Sequence, residues 1–191
     1  MGLGTIITLA VLAVIVVYVI TIYNALVQIK HNVSKAWANI DVLLKQRHDE
    51  LPKLIETCKQ YMKFEQDTLT KVIEARSKVF TAREAQNVPA LGQAETGMRA
   101  ALGSLFALAE SYPDLKANQT FQQLQTRISS LENAIADRRE FYNESVNINN
   151  VRIEQFPDVF VARMFGFKEA QLLEFSEEEK KDVDVKSLFN S

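Results

Sequence analysis

No charged side chain precedes Lys30, and the stretch that this leaves uncharged is mostly apolar, reading LGTIITLAVLAVIVVYVITI from Leu3 to Ile22. Twenty helical residues at a rise of about 1.5 Å span roughly 30 Å, the thickness of the hydrocarbon core of a bilayer. Its many β-branched residues do not prevent a helix, because in lipid the backbone must satisfy its own hydrogen bonds. We therefore predict a transmembrane anchor over residues 1–23, with Tyr23 at the membrane interface.

A cleaved signal peptide is the alternative interpretation of this stretch. Signal peptides carry a basic region before a shorter apolar core, whereas no Lys or Arg precedes the apolar run here. The first basic residues, Lys30, Lys35, Lys45 and Arg47, all follow it. The positive-inside rule then predicts an N-terminus outside and a cytoplasmic domain, and a domain on the periplasmic side is the alternative.

The rest of the sequence is typical of an all-α domain. Only 6 Gly and 4 Pro occur among 191 residues, too few for the many tight turns of a sheet-rich fold. The formal net charge is −2 with both signs mixed along the chain, which argues against nucleic acid as a partner. The single cysteine, Cys58, has apolar neighbours at helical spacing, and we expect a small buried hydrophobe there.

Apolar residues recur every three or four positions and predict four long helices. The first continues from the membrane segment, with Trp37 as a large core residue, to a break or kink at His48–Pro52. Asp49 and Pro52 would then begin a second helix of about 50 Å that ends near Gln86. Asn87 caps a third helix with Pro89 in its first turn, and a fourth runs from about Asn118 to Gln155 after a turn at residues 111–114.

The fourth helix has the three-and-four spacing of a coiled-coil seam. Its seam residues are Phe121, Leu124, Ile128, Leu131, Ile135, Arg138 and Tyr142. We therefore predict an elongated antiparallel four-helix bundle over residues 24–156, standing off the membrane as a rod. Glu65, Arg76, Arg138 and Asn149 interrupt the apolar seams, and we expect at least one of these acids and bases to pair inside the bundle.

The C-terminal region divides into an aromatic segment, 157–175, and a charged tail, 176–191. Asp158 is expected to cap a short helix, and Gly166 to end it. The segment carries a group of apolar residues, Phe156, Phe160, Met164, Phe165 and Phe167, that we predict as an interaction surface. It can dock on the bundle, enter the membrane surface or pack on another subunit. Ser176 and Glu179 have the spacing of a capping box for one last helical turn.

Several motifs together resemble the LemA family of bacterial membrane proteins, from the membrane helix to about Phe175. The residues that carry the resemblance are Tyr23, Asn24, Trp37, Asp41, Lys45, Arg47, His48, Asp49, Pro52, Tyr112, Pro113, Asn118, Glu132, Asn133, Arg138, Arg139, Tyr142 and Asn143, followed by Phe156-Pro157 and Phe165-Gly166-Phe167-Lys168. The resemblance implies an N-terminal anchor in the bacterial inner membrane and a helical bundle, but no established activity. A magnetosome-associated relative points by analogy to membrane organisation.

We expect structural roles for these residues before chemical ones. Asp41, Lys45 and Asp49 stand at i, i+4 and i+8 and suit an exposed helix face. His48 beside Asp49 has the form of a proton-transfer pair, but the sequence supplies no nucleophile or metal ligand with it. We therefore expect no enzyme, no cofactor and no metal site, because phosphate loops, hydrolase elbows and metal-ligand motifs are missing from the sequence.

Two functions remain from this reading. The first is a membrane-anchored scaffold that self-assembles as a homo-oligomer or binds other membrane proteins and lipid. The second is a signalling or stress-response adaptor that docks an unlike enzyme or receptor. They differ in the kind of partner. Anchoring in two dimensions raises the effective concentration of both kinds of partner and so does not distinguish the two functions.

Overall fold

A computed structural model of the protein describes residues 2–174 and contains six α-helices. They are α1 (Leu3–Tyr61), α2 (Gln66–Glu84), α3 (Val88–Ala109), α4 (Pro113–Ala117), α5 (Gln119–Glu154) and α6 (Asp158–Phe165). No strand occurs among the residues described, so the all-α prediction is confirmed. The charged tail 176–191, with its Ser176–Glu179 capping box, lies outside the described residues.

Helix α1 continues through Pro52, so the predicted break at His48–Pro52 is wrong. A proline inside a helix has no N–H to donate to the carbonyl four residues earlier, which here is that of His48. Arg76 on α2 fills that vacancy, since its Nε donates to the His48 carbonyl at 3.0 Å. The hydrogen bond that Pro52 removes is thus replaced from another helix, and α1 extends to Tyr61.

The chain turns instead at Met62–Glu65, where the sequence has neither Gly nor Pro. Consequently α2 has 19 residues and is much shorter than the predicted second helix. Two contacts from the connection between α3 and α5 hold this turn: the Tyr112 hydroxyl donates to Glu65 at 3.1 Å, and the Asn118 amide donates to the Tyr61 hydroxyl at 3.0 Å. The position of the turn was therefore set by distant residues.

The predicted starts of two other helices are confirmed. The Asn87 side chain accepts from the Ala90 N–H at the start of α3, and the Asn118 side chain accepts from the Phe121 N–H at the start of α5. Each bond satisfies a backbone donor that the first helical turn leaves free. The predicted turn at residues 111–114 leads into the short helix α4, which begins at Pro113.

Helices α2 and α6 end in the same way with different residues. After α6, Gly166 adopts φ 70°, and the Phe167 N–H donates to the Ala162 carbonyl at 3.0 Å. After α2, Gln86 adopts φ 50°, and the Asn87 N–H donates to the Ala82 carbonyl at 3.0 Å. Both are Schellman ends with a left-handed residue, as predicted for Gly166.

The described chain divides into two compact units. Unit 1 contains residues 2–40 and 137–172, and unit 2 contains residues 41–136 with 173 and 174. Buried apolar side chains form a core in each. In unit 2, α1 contributes Leu44, Leu51, Leu54 and Cys58, α3 contributes Leu91, Met98 and Leu105, and α5 contributes Phe121, Ile128 and Leu131. Of the predicted α5 seam, Arg138 is exposed, so its place on the seam was wrong.

Candidate functional site

The apolar start of α1 is exposed over nearly its whole length. Leu3 is 77% exposed and Val14 69%, and exposed apolar residues continue to Ile20. By its length and composition this stretch can cross a membrane. A water-soluble helix buries its apolar side chains, so this part of α1 fits a membrane protein.

Helix α6 packs on α1 where the apolar stretch ends, within unit 1. Val161 and Ala162 on α6 form a buried cluster with Ile22 and Leu26 on α1, and Ile153 of α5 completes the cluster. Asp158, at the first turn of α6, is buried and pairs with Arg152 on α5. These contacts fix one face of α6 against α1 and α5.

Several apolar side chains on α6 and just before it remain exposed. Phe156 is 81% exposed, Phe160 62%, Met164 73% and Phe165 52%. We call these four residues the α6 apolar surface. Phe167, which was predicted with them, is only partly exposed, since it packs on the α1–α6 cluster and its ring centroid lies 5.9 Å from that of Tyr23.

The chain after α6 has no regular secondary structure up to residue 174 and is held by side chains of α5. The Asn150 amide donates to the Ala170 carbonyl and accepts from the Ala170 N–H, at 3.0 and 2.9 Å. Asn149 donates to the Lys168 carbonyl at 3.3 Å, and the Tyr142 hydroxyl donates to the Gln171 carbonyl at 2.8 Å. The polar Asn149 in the apolar seam is therefore explained by its hydrogen bond to the backbone after α6. Burial raises the pKa of Tyr142.

Other family residues of unit 1 have structural positions. The ring of Trp37 packs on that of Tyr142, with centroids 5.5 Å apart, and Trp37 is only partly buried. Asn24 is exposed, whereas Arg139 and Asn143 are partly buried. Within unit 1, Tyr23 contacts Phe165 of the α6 apolar surface, whereas Trp37 and Tyr142 form a separate aromatic pair. Unit 2 contains the residues of the His48 and Arg47 motifs.

Unit 2 contains a fully buried arginine, Arg47, which is only 1% exposed. Its two terminal nitrogens pair with Glu95 on α3 and with Glu132 on α5, so one α1 side chain links three helices. Arg99 lies further out, with its Nε 3.9 Å from Glu132. This buried ion pair is not the one that we predicted, because it involves none of the residues that we expected: Glu65 accepts from Tyr112, and Arg76 contacts His48.

Opposing effects act on the charges of this cluster. Burial lowers the pKa of Arg47, but the carboxylates of Glu95 and Glu132 raise it more, so the guanidinium stays charged. Burial raises the pKa of Glu95, and the charge of Arg47 opposes that rise. A buried charge without a partner costs several kcal/mol, roughly 3–5 when one partner of a pair is removed. Each helix in this cluster therefore depends on the other two.

Periodicity in the sequence could have revealed this cluster. Arg47 continues the buried register Ile40, Leu44, Leu51 of α1 in steps of four and three. Glu95 lies between the buried residues Leu91 and Met98 of α3 in the same way. The family resemblance singled out Arg47 and Glu132, but the sequence interpretation missed Glu95, which lies among the apolar positions of α3.

The His48 side chain is also part of a contact between helices. Arg76 Nη2 lies 2.6 Å from His48 Nε2, and the ring of Phe80 packs on the imidazole with centroids 4.9 Å apart. A guanidinium only donates, so Nε2 must be the accepting, unprotonated nitrogen of a neutral imidazole. Burial, followed by the charge of Arg76, lowers the pKa of His48, which is consistent with that state. This arrangement supports packing, not proton transfer to Asp49.

The predicted ladder of Asp41, Lys45 and Asp49 along α1 is replaced at Asp41 by a contact between helices. Two nitrogens of Arg83 on α2 donate to the two oxygens of the Asp41 carboxylate, at 2.6 and 2.8 Å. Lys45 and Asp49 are exposed, and so is Asn133 on α5. The residues of the α1 motif thus serve mainly to attach α2, α3 and α5 to one helix.

A groove of about 940 Å³ lies between α2 and α3 in unit 2. Its lining consists mostly of small residues, among them Ala82 and Ala85 on α2 and Ala94, Gly97 and Ala100 on α3. Small side chains at a helix surface let another helix approach closely, as they do between membrane helices. The sequence interpretation missed this groove, although the alanine spacing on α3 was a signal for it.

Reactive groups in the described residues are few. Cys58 is buried as predicted, and burial raises the pKa of its thiol to about 12, which keeps it protonated. Between residues 2 and 174, no three His, Cys, Asp or Glu side chains are grouped so that they could hold a metal ion.

Comparisons with known proteins give one consistent result. The sequence model of the LemA family matches residues 36–187. A protein LemA from Metamycoplasma hominis is 30% identical over 168 residues, covering 87% of this chain and 75% of the relative. The magnetosome protein MamQ 2 of Paramagnetospirillum magneticum is 24% identical over 199 residues, covering 90% of this chain and 73% of the relative.

Proposed function

The chain belongs to the LemA family, and we propose that it is a non-enzymatic, membrane-anchored helical scaffold. In this role it assembles with copies of itself or binds other membrane proteins. The observation that carries the proposal is the continuity of α1. Its first part is apolar and exposed, and the same helix then supplies buried core residues from Ala36 to Cys58.

The membrane in this proposal is the bacterial inner membrane, crossed once by residues 1–23. The basic residues from Lys30 to Arg47 favour a cytoplasmic domain, and the similarity to a magnetosome protein supports a role in membrane organisation. We further propose that residues 24–156 form an antiparallel four-helix bundle. The regular buried spacing of α5, from Phe121 to Ile135, supports that arrangement.

We propose the groove between α2 and α3 as the docking surface for a partner helix. The lining of Ala94, Gly97 and Ala100 would let a helix backbone approach closely, and the charged side chains at the groove, Lys71, Glu74 and Lys78, can orient a partner helix that carries charges of the opposite signs. A partner anchored in the same membrane meets this groove at a raised effective concentration.

Photo-crosslinking in native membranes tests this function. A photo-reactive amino acid replaces Ala100 in the groove, and a matched variant carries it at Gln123, an exposed position on α5. We expect ultraviolet light to give a defined adduct only from position 100. An adduct of two 21.7 kDa chains supports self-assembly, and an adduct with another membrane protein supports the binding role.

A second substitution controls for chance encounters. Gly97→Trp fills the groove from an exposed position with no heavy atom within 4 Å of an added Cβ, so the fold should tolerate it. We expect this change to abolish the adduct from position 100. Equal adducts from positions 100 and 123, or an adduct insensitive to Gly97→Trp, would contradict the docking surface. A soluble adduct partner would favour the adaptor function instead.

A further inference from the structure

The α6 apolar surface lies at one particular level of the molecule. Helix α6 packs through Val161 and Ala162 on Ile22 and Leu26, and Phe165 packs on Tyr23 with ring centroids 4.7 Å apart. Those α1 residues stand where the apolar stretch ends, about 30 Å from Leu3 along the helix. Whatever surrounds the end of the membrane-spanning stretch therefore also surrounds α6.

The exposed side chains of α6 suit that level. Phe160 and Met164 are one helical turn apart, and Phe156 packs edge-on against Phe160 with centroids 5.9 Å apart. Together they form an exposed apolar row that is separate from the buried residues Val161 and Ala162. Short amphipathic helices with such a row bury it among lipid headgroups and upper acyl chains.

The charges of this segment do not oppose that placement. Between residues 156 and 168 the only acid is Asp158, which is buried and paired with Arg152. The exposed charges of the segment, Arg163 and Lys168, are basic. Long basic side chains can extend to the phosphate level while apolar neighbours lie deeper.

We propose that α6 is a second membrane contact, with Phe156, Phe160, Met164 and Phe165 inserted in the headgroup region of the bilayer beside α1. The occupant of this surface is thus lipid. The contact would fix the domain against the membrane at a second point, whereas a single spanning helix leaves it free to swing. This inference rests on the membrane anchor of the proposed function and not on its scaffold role.

Depth-dependent fluorescence quenching of the full chain in phosphatidylcholine vesicles tests the proposal. The only tryptophan, Trp37, is changed to Phe, and Phe160→Trp introduces a reporter. We expect lipids brominated near the top of the acyl chain to lower the emission of this reporter about twofold, and lipids brominated near its end to do less, because interfacial helices insert only about 5–10 Å.

Two matched variants separate the possible failures. Phe141→Trp places the reporter on an exposed α5 residue next to Tyr142, which packs on Trp37 well beyond the apolar stretch, and we expect no quenching. Ile15→Trp places it within that stretch, and we expect the deeper label to quench it most. If Ile15→Trp is not quenched, the anchor is wrong and the inference falls with it.

If Ile15→Trp is quenched while Phe160→Trp behaves like Phe141→Trp, the anchor stands and the α6 contact is overturned. A blue-shifted Phe160→Trp emission that ignores the labelled lipids and depends on the protein-to-lipid ratio also overturns it, because a second copy would then cover the surface. Quenching in vesicles of purely zwitterionic lipid supports insertion driven by the apolar row. Quenching that requires anionic lipid would contradict insertion of that kind.

Discussion

Arg47 in unit 2 and Phe160 in unit 1 both have an unusual exposure for their residue type, since the arginine is buried and the phenylalanine is exposed. Arg47 is 1% exposed, although arginine is almost never fully buried unless it is paired. Phe160 is 62% exposed and has apolar neighbours that are exposed too. The charge of Arg47 is balanced within unit 2 by Glu95 and Glu132. The ring of Phe160, in contrast, is not covered by the described residues of unit 1.

The difference teaches that the two units treat their unusual side chains differently. Unit 2 pairs Arg47 with its own residues, because a buried charge needs a partner within the protein. Unit 1 leaves a row of apolar side chains at the level where α1 ceases to be apolar. An exposed apolar patch of that kind indicates a contact with another molecule or with lipid.

The largest expected effect concerns the buried charge. Arg47→Met keeps a long apolar side chain but leaves Glu95 buried without its cation, and we expect the free energy of unfolding to fall by about 3–5 kcal/mol. Urea unfolding of the full chain in mild detergent, followed by circular dichroism, measures it. Arg99→Met is the matched control, because Arg99 is 43% exposed and should cost at most about 1 kcal/mol. Equal losses would contradict the claim that unit 2 depends on this cluster.

A second, smaller effect concerns the segment after α6. In unit 1, asparagine side chains bind its backbone, and in unit 2 it packs against Gly92, which has no side chain. A Cβ at Gly92 would lie 1.9 Å from the Glu174 carbonyl oxygen, and Leu173 beside it is 1% exposed. Gly92→Ala should therefore displace Leu173 and cost about 2–3 kcal/mol of unfolding free energy.

Gly103→Ala is the control for Gly92→Ala. Gly103 lies on the same helix, and nothing is within 4 Å of an added Cβ. Alanine there should raise the free energy of unfolding by about 0.5–1 kcal/mol, because glycine is a poor helix residue. Thermal unfolding of both variants in detergent gives the comparison, and two shifts of the same sign would sink the proposed close contact.

The smallest expected effect compares the Schellman ends of the two units. Gln86 occupies a left-handed position that costs an ordinary residue about 1–2 kcal/mol, whereas Gly166 occupies its equivalent without strain. Gln86→Gly should raise the free energy of unfolding by about 0.5–1 kcal/mol, and Gly166→Gln should lower it by about 1 kcal/mol. Chemical denaturation reads both, and a loss on Gln86→Gly would show that the Gln86 side chain stabilises the turn.

Local signals in the sequence predicted much of this fold. The apolar run of α1, the cap at Asn87, the start of α5 near Asn118 and the stop at Gly166 were all found where expected. Each depends on residues within one or two helical turns. Pro52 was the exception, because its effect on α1 depended on Arg76, which lies 24 positions further along the chain.

The sequence by itself determined that the described chain is helical, that its first stretch is fit for lipid and that the α5 seam is apolar, because periodicity and composition act within a single segment. Only the tertiary structure decided where α1 ends, which acids pair with Arg47 and which side chains of α6 stay exposed. Those outcomes depend on groups brought together from distant positions, such as Tyr61 with Asn118. A helix specifies its own hydrogen bonds, but its partners are fixed only when the other helices pack against it.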